Sequence, residues 1–154
     1  MSLRSAHFLA ITFTALALVP AGAHLFEMPN KLDLPQDAYF TVQAIYRGWA
    51  LFGIALAAAL LANLAVALIA RRRGHGSATA LMVLVFAIFL AWTWPANQAT
   101  ANQATANWTA APADWRELRL QWEYSHAANA VVTFLALCCA VLSALTTREQ
   151  DACP

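Results

Sequence analysis

Long apolar runs, rather than an alternation of apolar and polar positions, dominate the pattern of this chain. Four of them meet or nearly meet the requirement of about 20 mostly apolar residues for a helix that crosses a bilayer. These runs are Ala6–Ala23, Ala44–Ala70, Ala78–Pro95 and Ala127–Leu145. Their central parts contain no Asp, Glu or Lys, as the cost of placing charge in hydrocarbon demands. Since lipid offers the backbone no hydrogen-bond partners, the pattern predicts four transmembrane helices.

Polar residues extend two of the predicted helices beyond their apolar runs. Asp114, followed by Glu117, is typical of a helix N-terminus and starts the last helix near Trp115. A similar start near Asp37 lengthens the second helix. The last helix is then about 50 Å long at about 1.5 Å per residue, against about 30 Å of hydrocarbon, so its outer end projects from the membrane.

The predicted fold class is an all-α integral membrane protein, a four-helix up-and-down bundle. One transmembrane domain covers residues 1–154, with spans at about residues 6–23, 41–70, 78–95 and 115–146. The first run also resembles a signal peptide, since Arg4 precedes it and Ala21-Gly22-Ala23 offers a small-residue cleavage site before His24. Cleavage would leave three spans, but the length of the run favours a retained helix.

Composition supports a membrane protein and excludes two other classes. Hydrophobic residues make up 61% of the 154 residues and charged residues only 11%, against roughly 25% charged in a soluble domain. A net charge of +1 gives no basic field for nucleic-acid binding, so no nucleic-acid partner is predicted. The three cysteines, Cys138, Cys139 and Cys153, have neither a disulfide framework nor metal-ligand spacing.

The placement of arginines predicts the orientation of the bundle. With four spans, Arg4, the triplet Arg71-Arg72-Arg73 and Arg148 fall on one side, which is predicted to be cytoplasmic. Both termini then lie in the cytoplasm, and the predicted location is the bacterial inner membrane, crossed several times. The lipid bilayer is the main partner. Small residues such as Ala55 and Ala59 permit close helix packing, within the bundle or in a homo-oligomer.

Aromatic residues gather in the outer half of this topology. The set comprises all tryptophans and tyrosines: Trp49, Trp92, Trp94, Trp108, Trp115, Trp122, Tyr39, Tyr46 and Tyr124. An interfacial belt explains aromatic residues at a membrane surface, but such belts normally form at both surfaces. The one-sided distribution leaves a ligand-lining role open beside the belt.

Ionisable residues repeat this asymmetry and supply the candidate site. The candidate catalytic residues are His24, Glu27, Arg47, Arg119, Glu123 and His126, and the candidate substrate-binding residues are Tyr46, Trp49, Trp94, Asn97, Trp115 and Trp122. On the last helix, a stripe at helical spacing joins Trp115, Arg119, Trp122, His126, Asn129 and Thr133, with Glu123 on its flank. Because a polar stripe cannot comfortably face lipid, it is predicted to face the other helices.

These residue types suit an enzyme that acts on a small apolar or aromatic molecule arriving from the membrane. A histidine removes a proton, a glutamate orients the imidazole, and an arginine stabilises a developing oxyanion or enolate. Tryptophans clamp a flat substrate. No cofactor is needed for this chemistry, and none is predicted.

Two other interpretations of the same residues are open. His24 with Glu27, and Glu123 with His126, have the i, i+3 spacing of helical-bundle metal ligands, so a single transition metal is one alternative. A haem with His24 and His126 as its axial ligands is a second version of this metal-binding alternative.

A purely structural role, in a protein that works through partners, is the third interpretation. In it, Arg47 and Arg119 neutralise Glu27 and Glu123 and tie the helices together.

Several short segments carry a resemblance to a known family. They are His24-Leu25-Phe26-Glu27-Met28-Pro29-Asn30-Lys31, Gln43-Ala44-Ile45-Tyr46-Arg47-Gly48-Trp49, Pro95-Ala96-Asn97-Gln98, and Trp115 with Leu118-Arg119, Gln121-Trp122-Glu123 and His126. In these segments the chain resembles the small four-span membrane proteins of the anthrone-oxygenase-like domain-of-unknown-function family, some fungal members of which are anthrone oxygenases.

The resemblance implies an oxygenase that oxidises an activated phenolic carbon without a bound cofactor, through a substrate carbanion that reacts with dioxygen. The block Ala-Asn-Gln-Ala-Thr at residues 96–100 is repeated at residues 101–105. That tandem copy departs from the single one expected of the family.

Overall fold

The computed structural model describes residues 1–70, 80, 83–84, 87–96 and 103–152, with side chains described as far as residue 146. Every regular element in these ranges is helical. The Arg71-Arg72-Arg73 triplet, Asn97, Cys153 and the side chain of Arg148 lie outside the described residues.

Four α-helices organise the described chain. They are α1 (Leu3–Leu32), α2 (Gln36–Gln43), α3 (Phe52–Ile69) and α4 (Trp115–Ala152). Within the described ranges, three segments are long and apolar enough to cross a membrane: Leu3–Leu32, Trp49–Ile69 and Trp115–Thr146. The chain is therefore a helical membrane protein, in agreement with the prediction from its apolar runs.

Helix α1 is longer than its apolar run. The Ser2 side chain accepts a hydrogen bond from the backbone N–H of Ser5 and caps the N-terminus. The helix then continues through Pro20 and Pro29 to Leu32. Residues 24–32, predicted to lie beyond the span, are therefore part of the same helix as the span itself.

The second predicted span is interrupted rather than continuous. Helix α2 ends at Gln43, and two short 3-10 turns, Ala44–Tyr46 and Trp49–Leu51, lead into α3. Gly48 between them has φ +88°, a backbone conformation that glycine adopts at little cost. Apolar periodicity does not show such a break. The break brings the turn at Ala44–Tyr46 to the end of the bundle where α1 ends, since Tyr46 contacts Lys31 there.

The third predicted span, residues 78–95, is only partly within the described ranges. Residues 87–96 are helical and include a π-helical stretch at Phe89–Thr93. Thr93 is fully buried, and its hydroxyl lies 3.4 Å from the backbone oxygen of Ser125 on α4 and 2.6 Å from Asn129 Nδ2. The segment of residues 87–96 therefore packs on α4.

Helix α1 packs along both α3 and α4 through small residues. Ala17, Ala59 and Ala136 form one buried cluster, and Ala6 and Ala62 belong to another. Small side chains let helix backbones approach closely where the hydrophobic effect does not hold helices together.

Buried polar contacts add specificity to this packing. Asn63 Nδ2 on α3 donates to the Thr14 hydroxyl on α1 at 3.0 Å, and His7 Nε2 lies 3.2 Å from the Ser143 hydroxyl on α4. Large apolar side chains such as Phe8, at 68% exposure, point outward. That arrangement is consistent with contact between the outer surface and lipid.

Candidate functional site

A cavity of about 720 Å³ lies among α1, the turns before α3, residues 87–96, residues 106–109 and α4. Polar and aromatic side chains form one part of its wall: His24, Gln43, Tyr46, Trp122, His126 and Asn129. Ala17, Leu56 and Phe89 form an apolar part. The cavity therefore combines an apolar surface with a small number of hydrogen-bonding groups, as ligand-binding sites usually do.

Two histidines from the first and last spans meet on the cavity wall. The ring centroids of His24 and His126 are 4.1 Å apart, with an angle of 30° between the rings. Three aromatic rings surround His24, at centroid distances of 4.4 Å for Tyr46, 4.8 Å for Trp122 and 5.5 Å for Trp49. The predicted stripe of α4 faces inward, since Trp122, Asn129 and Thr133 are all buried. Its orientation is confirmed.

A buried lysine forms the centre of a neighbouring polar group, the Lys31 cluster (Glu27, Lys31, Tyr39, Tyr46 and Glu123). Lys31 Nζ lies 2.8 Å from Glu123 Oε1 and donates to the Tyr46 hydroxyl at 2.9 Å. Its distance to Glu27 Oε2 is 3.9 Å, and the Tyr46 hydroxyl donates to the same Glu27 oxygen. The Lys31 ammonium thus forms ion pairs with two carboxylates from different helices.

Tyr39 completes the coordination of Glu123. Its hydroxyl donates to Glu123 Oε1 at 2.9 Å, and Gln43 Nε2 lies 3.5 Å from the same oxygen. Burial raises the pKa of Tyr39, and the negative charge of Glu123 raises this pKa further. The phenol therefore stays protonated and remains a donor to the carboxylate.

A loop with left-handed backbone closes one side of the cavity. Ala106, Asn107 and Trp108 have φ of 47°, 57° and 64°, a conformation that costs non-glycine residues roughly 1–2 kcal/mol each. The Thr105 hydroxyl accepts from the Trp108 backbone N–H at 2.8 Å. The Trp108 ring packs edge-on against Tyr39 at a centroid distance of 5.3 Å. The loop thus links the cavity wall to the Lys31 cluster.

The two predicted arginines occupy different surroundings from those expected. Arg119 stacks its guanidinium on Trp115 at 4.8 Å and on Tyr39 at 5.3 Å, and its Nη1 donates to the Leu34 backbone oxygen. Arg47 is exposed at the cavity rim. The prediction that these arginines neutralise Glu27 and Glu123 is wrong, because in the described part of the chain Lys31 makes both ion pairs.

The structure divides the predicted site residues into two groups. On the cavity wall lie His24, Tyr46, Arg47, Trp49, Trp94, Trp122 and His126. Glu27 and Glu123 belong instead to the Lys31 cluster, and Arg119 and Trp115 pack around Tyr39. Asn97 lies outside the described residues.

Sequence reasoning missed Lys31, Tyr39, Gln43 and Trp108 as parts of this region. Lys31 was available as a signal, because it follows Glu27 by one helical turn and His24 by two. The expectation that the first span ends at residue 23 placed it in a solvated loop. Tyr39 and Gln43 carry no comparable signal, since each contacts Glu123, a residue 80 or more positions away in the chain.

The geometry also bears on the metal and haem alternatives. In the described ranges, no group of three or more His, Cys, Asp or Glu side chains is placed to hold a metal ion. The Lys31 ammonium stands between Glu27 and Glu123, where a metal bound by both carboxylates would have to lie. The imidazoles of His24 and His126 are in van der Waals contact, so a porphyrin plane does not fit between them.

Comparisons with known proteins add no relative to this description. No protein-family model, no curated protein and no solved structure matches the chain. The resemblance to anthrone-oxygenase-like proteins therefore stays a prediction, and the functional argument depends on the cavity and its residues.

Proposed function

We propose that this protein is a four-span bundle of the bacterial inner membrane, with both termini in the cytoplasm, that binds a small apolar or aromatic molecule in its outer cavity. We further propose that it is an oxygenase-like enzyme acting on this molecule without a bound cofactor. The observation that carries the proposal is the pair of contacting imidazoles, His24 and His126, on the wall of a cavity of about 720 Å³.

The surroundings of the histidines support binding of a flat molecule. Tyr46, Trp49 and Trp122 surround His24 at ring-centroid distances of 4.4 to 5.5 Å, and apolar residues from three helical segments form the rest of the wall. Aromatic rings stack with other flat rings at such distances. A membrane-dissolved substrate would therefore find an aromatic clamp beside two groups able to accept a proton.

The proposed reaction converts an activated ring CH2 and dioxygen into a ring carbonyl and water. His24 or His126 accepts the first proton from the carbon, and the resulting carbanion transfers its electrons to dioxygen. One oxygen atom becomes the carbonyl oxygen, and the other leaves as water with the two hydrogens of the CH2. Arg47 at the rim stabilises the negative charge that develops on the phenolic oxygen.

Oxygen consumption by detergent-purified protein supplied with an anthrone tests this proposal. We expect one dioxygen per substrate, and a fall in rate of about a hundredfold or more in His24→Ala and His126→Ala, the contribution typical of a general base. His7→Ala is the matched control, because His7 is a buried histidine that contacts Ser143 away from the cavity. Equal rates in the three variants would contradict the proposal.

Binding and composition measurements separate the parts of the proposal. Quenching of tryptophan fluorescence by the anthrone reports occupancy of the cavity, since Trp49, Trp94 and Trp122 line it. Binding without turnover would retain the ligand site and refute the enzyme. Stoichiometric metal, or a haem absorption band, in active protein would refute the cofactor-free mechanism.

A further inference from the structure

Gly53 lies on the cavity wall at the start of α3. Trp49, four residues before it, and Leu56, three residues after it, line the same cavity, and all three belong to the helical segment Trp49–Ile69. Residues three and four positions apart share one face of a helix. A side chain at position 53 would therefore lie on the cavity face of this segment, between those of Trp49 and Leu56.

The packing of the protein gives no reason for a glycine at this position. Glycine is used where φ is positive, where helices pack closely, or where the backbone approaches a ligand. Gly53 lacks the positive φ of Gly48, and a Cβ at position 53 meets no atom of the described chain within 4 Å. Glycine also weakens a helix relative to alanine. The approach of a ligand to the backbone is the use that remains, and it agrees with the place of Gly53 on the cavity wall.

The size of the cavity indicates how large this ligand is. An apolar cavity of about 150 Å³ is enough for benzene, whereas the present cavity measures about 720 Å³. A single ring would leave most of that volume unfilled. At Gly53 the wall is bare backbone, so the space that a side chain would take is part of the cavity.

We infer that Gly53 determines the size of the ligand, and that the cavity takes a planar apolar group larger than one ring because position 53 carries no side chain. The inference depends on the proposed aromatic ligand site and adds its size selectivity. Since a Cβ at this position meets no described atom within 4 Å, a larger side chain there fills the space of the ligand and leaves the protein wall in place.

Two apolar probes of different size test the inference: toluene with one ring and anthracene with three. Each is titrated into detergent-purified protein at constant detergent concentration. The dissociation constant is taken from the rise in melting temperature with probe concentration, because a ligand that binds only the folded state stabilises it.

The variants Gly53→Ala and Gly53→Leu add side chains of increasing size. One methylene in an apolar pocket changes affinity by about tenfold or more, so we expect anthracene binding to weaken by at least about tenfold in Gly53→Leu and toluene binding by less than about threefold. Gly53→Ala should give a smaller loss of anthracene binding than Gly53→Leu.

Gly22→Leu is the matched control. Gly22 is a glycine of α1 at which a Cβ also meets no described atom within 4 Å, but it lies outside the cavity wall. We compare the ratio of the toluene and anthracene dissociation constants between proteins, because partition of each probe into the detergent micelle is then the same and cancels. Gly22→Leu should keep the ratio of the wild type.

The melting temperature without any probe tests the space at position 53 directly. Leucine favours a helix more than glycine does, and the cavity has room for it. Gly53→Leu should therefore melt at or above the temperature of the wild type. A clear fall would overturn the inference, because position 53 would then pack against protein rather than ligand.

The binding outcomes separate this inference from the proposed function. Unchanged anthracene binding in Gly53→Leu, or an equal loss in Gly22→Leu, would overturn the inference and leave the ligand site in place. An equal loss of both probes in Gly53→Leu, or a wild type that binds toluene but not anthracene, would overturn it as well, because position 53 would not select by size. Failure of toluene, anthracene and the anthrone alike to bind the wild type would refute the ligand site itself.

Discussion

Replacing Lys31 with methionine should destabilise the protein strongly, because it leaves a carboxylate buried without its cation. Glu123 is fully buried, and Lys31 Nζ lies 2.8 Å from its Oε1. Removing one partner of a buried ion pair costs about 3–5 kcal/mol. For a chain of this length, 1 kcal/mol corresponds to roughly 2–4 °C in melting temperature, so we expect Lys31→Met to lower the melting temperature by about 10 °C.

A double-mutant cycle isolates the pair. Lys31→Met combined with Glu123→Leu removes both charges and should recover most of the loss, since replacing a buried ion pair with apolar residues is often close to neutral. Glu27→Gln serves as the control, because the Glu27 side chain is 38% exposed and lies 3.9 Å from Lys31. Its cost should stay below about 1 kcal/mol.

Thermal unfolding in detergent, followed by circular dichroism, is measured for the wild type, Lys31→Met, Glu123→Leu, the double variant and Glu27→Gln. The reasoning fails if Lys31→Met loses less than about 1 kcal/mol, the range of surface pairs. It also fails if the double variant loses the sum of the two single losses, because the two residues would then act independently.

The remaining predictions concern backbone, pH and topology. Gly48→Ala should cost about 1 kcal/mol in thermal unfolding, because φ +88° strains any side chain although a Cβ there meets no atom within 4 Å; Gly53→Ala, also in open space at the start of α3 but without a positive φ, is the control. The free energy of unfolding should fall as the pH rises above about 10, because tyrosines of the unfolded chain lose protons there whereas the raised pKa of Tyr39 keeps it protonated in the folded state. Tyr39→Phe should show a shallower fall of stability with pH, and a stability profile identical to that of the wild type would contradict this assignment. In a cysteine-free background, Thr109→Cys should react with an impermeant maleimide in intact cells, whereas Ser2→Cys should react only after permeabilisation; the reverse pattern would invert the proposed orientation.

The predictable part of this fold is the part that depends on composition alone. Apolar runs longer than a bilayer's width require helices, and α1, α3 and α4 all contain one. The inward stripe of α4 was also readable, because a helix fixes the faces of Trp122, His126 and Asn129 relative to one another. These features need no knowledge of which helices touch.

The unpredictable part depends on contacts between distant residues. The break after Gln43 has no counterpart in the apolar pattern, and the contacts of Tyr46 with Lys31 and of Tyr39 with Glu123 join separate elements. A sequence shows that a lysine and several glutamates are present, but it does not show which of them form ion pairs. The structural interpretation therefore pairs both carboxylates with arginines, whereas both ion pairs in the described chain are made by the lysine one helical turn beyond Glu27.

The Lys31 cluster also bears on the order in which the bundle assembles. Lys31 emerges from the ribosome with the first helix, whereas Glu123 belongs to the last one. Until that last helix enters the bilayer, the Lys31 ammonium cannot form its ion pair with the buried Glu123 carboxylate. We expect it to stay hydrated at the membrane surface until then. The outer wall of the cavity is therefore completed last, because a nascent chain that stops before residue 115 lacks the helix that carries Glu123, Trp122 and His126.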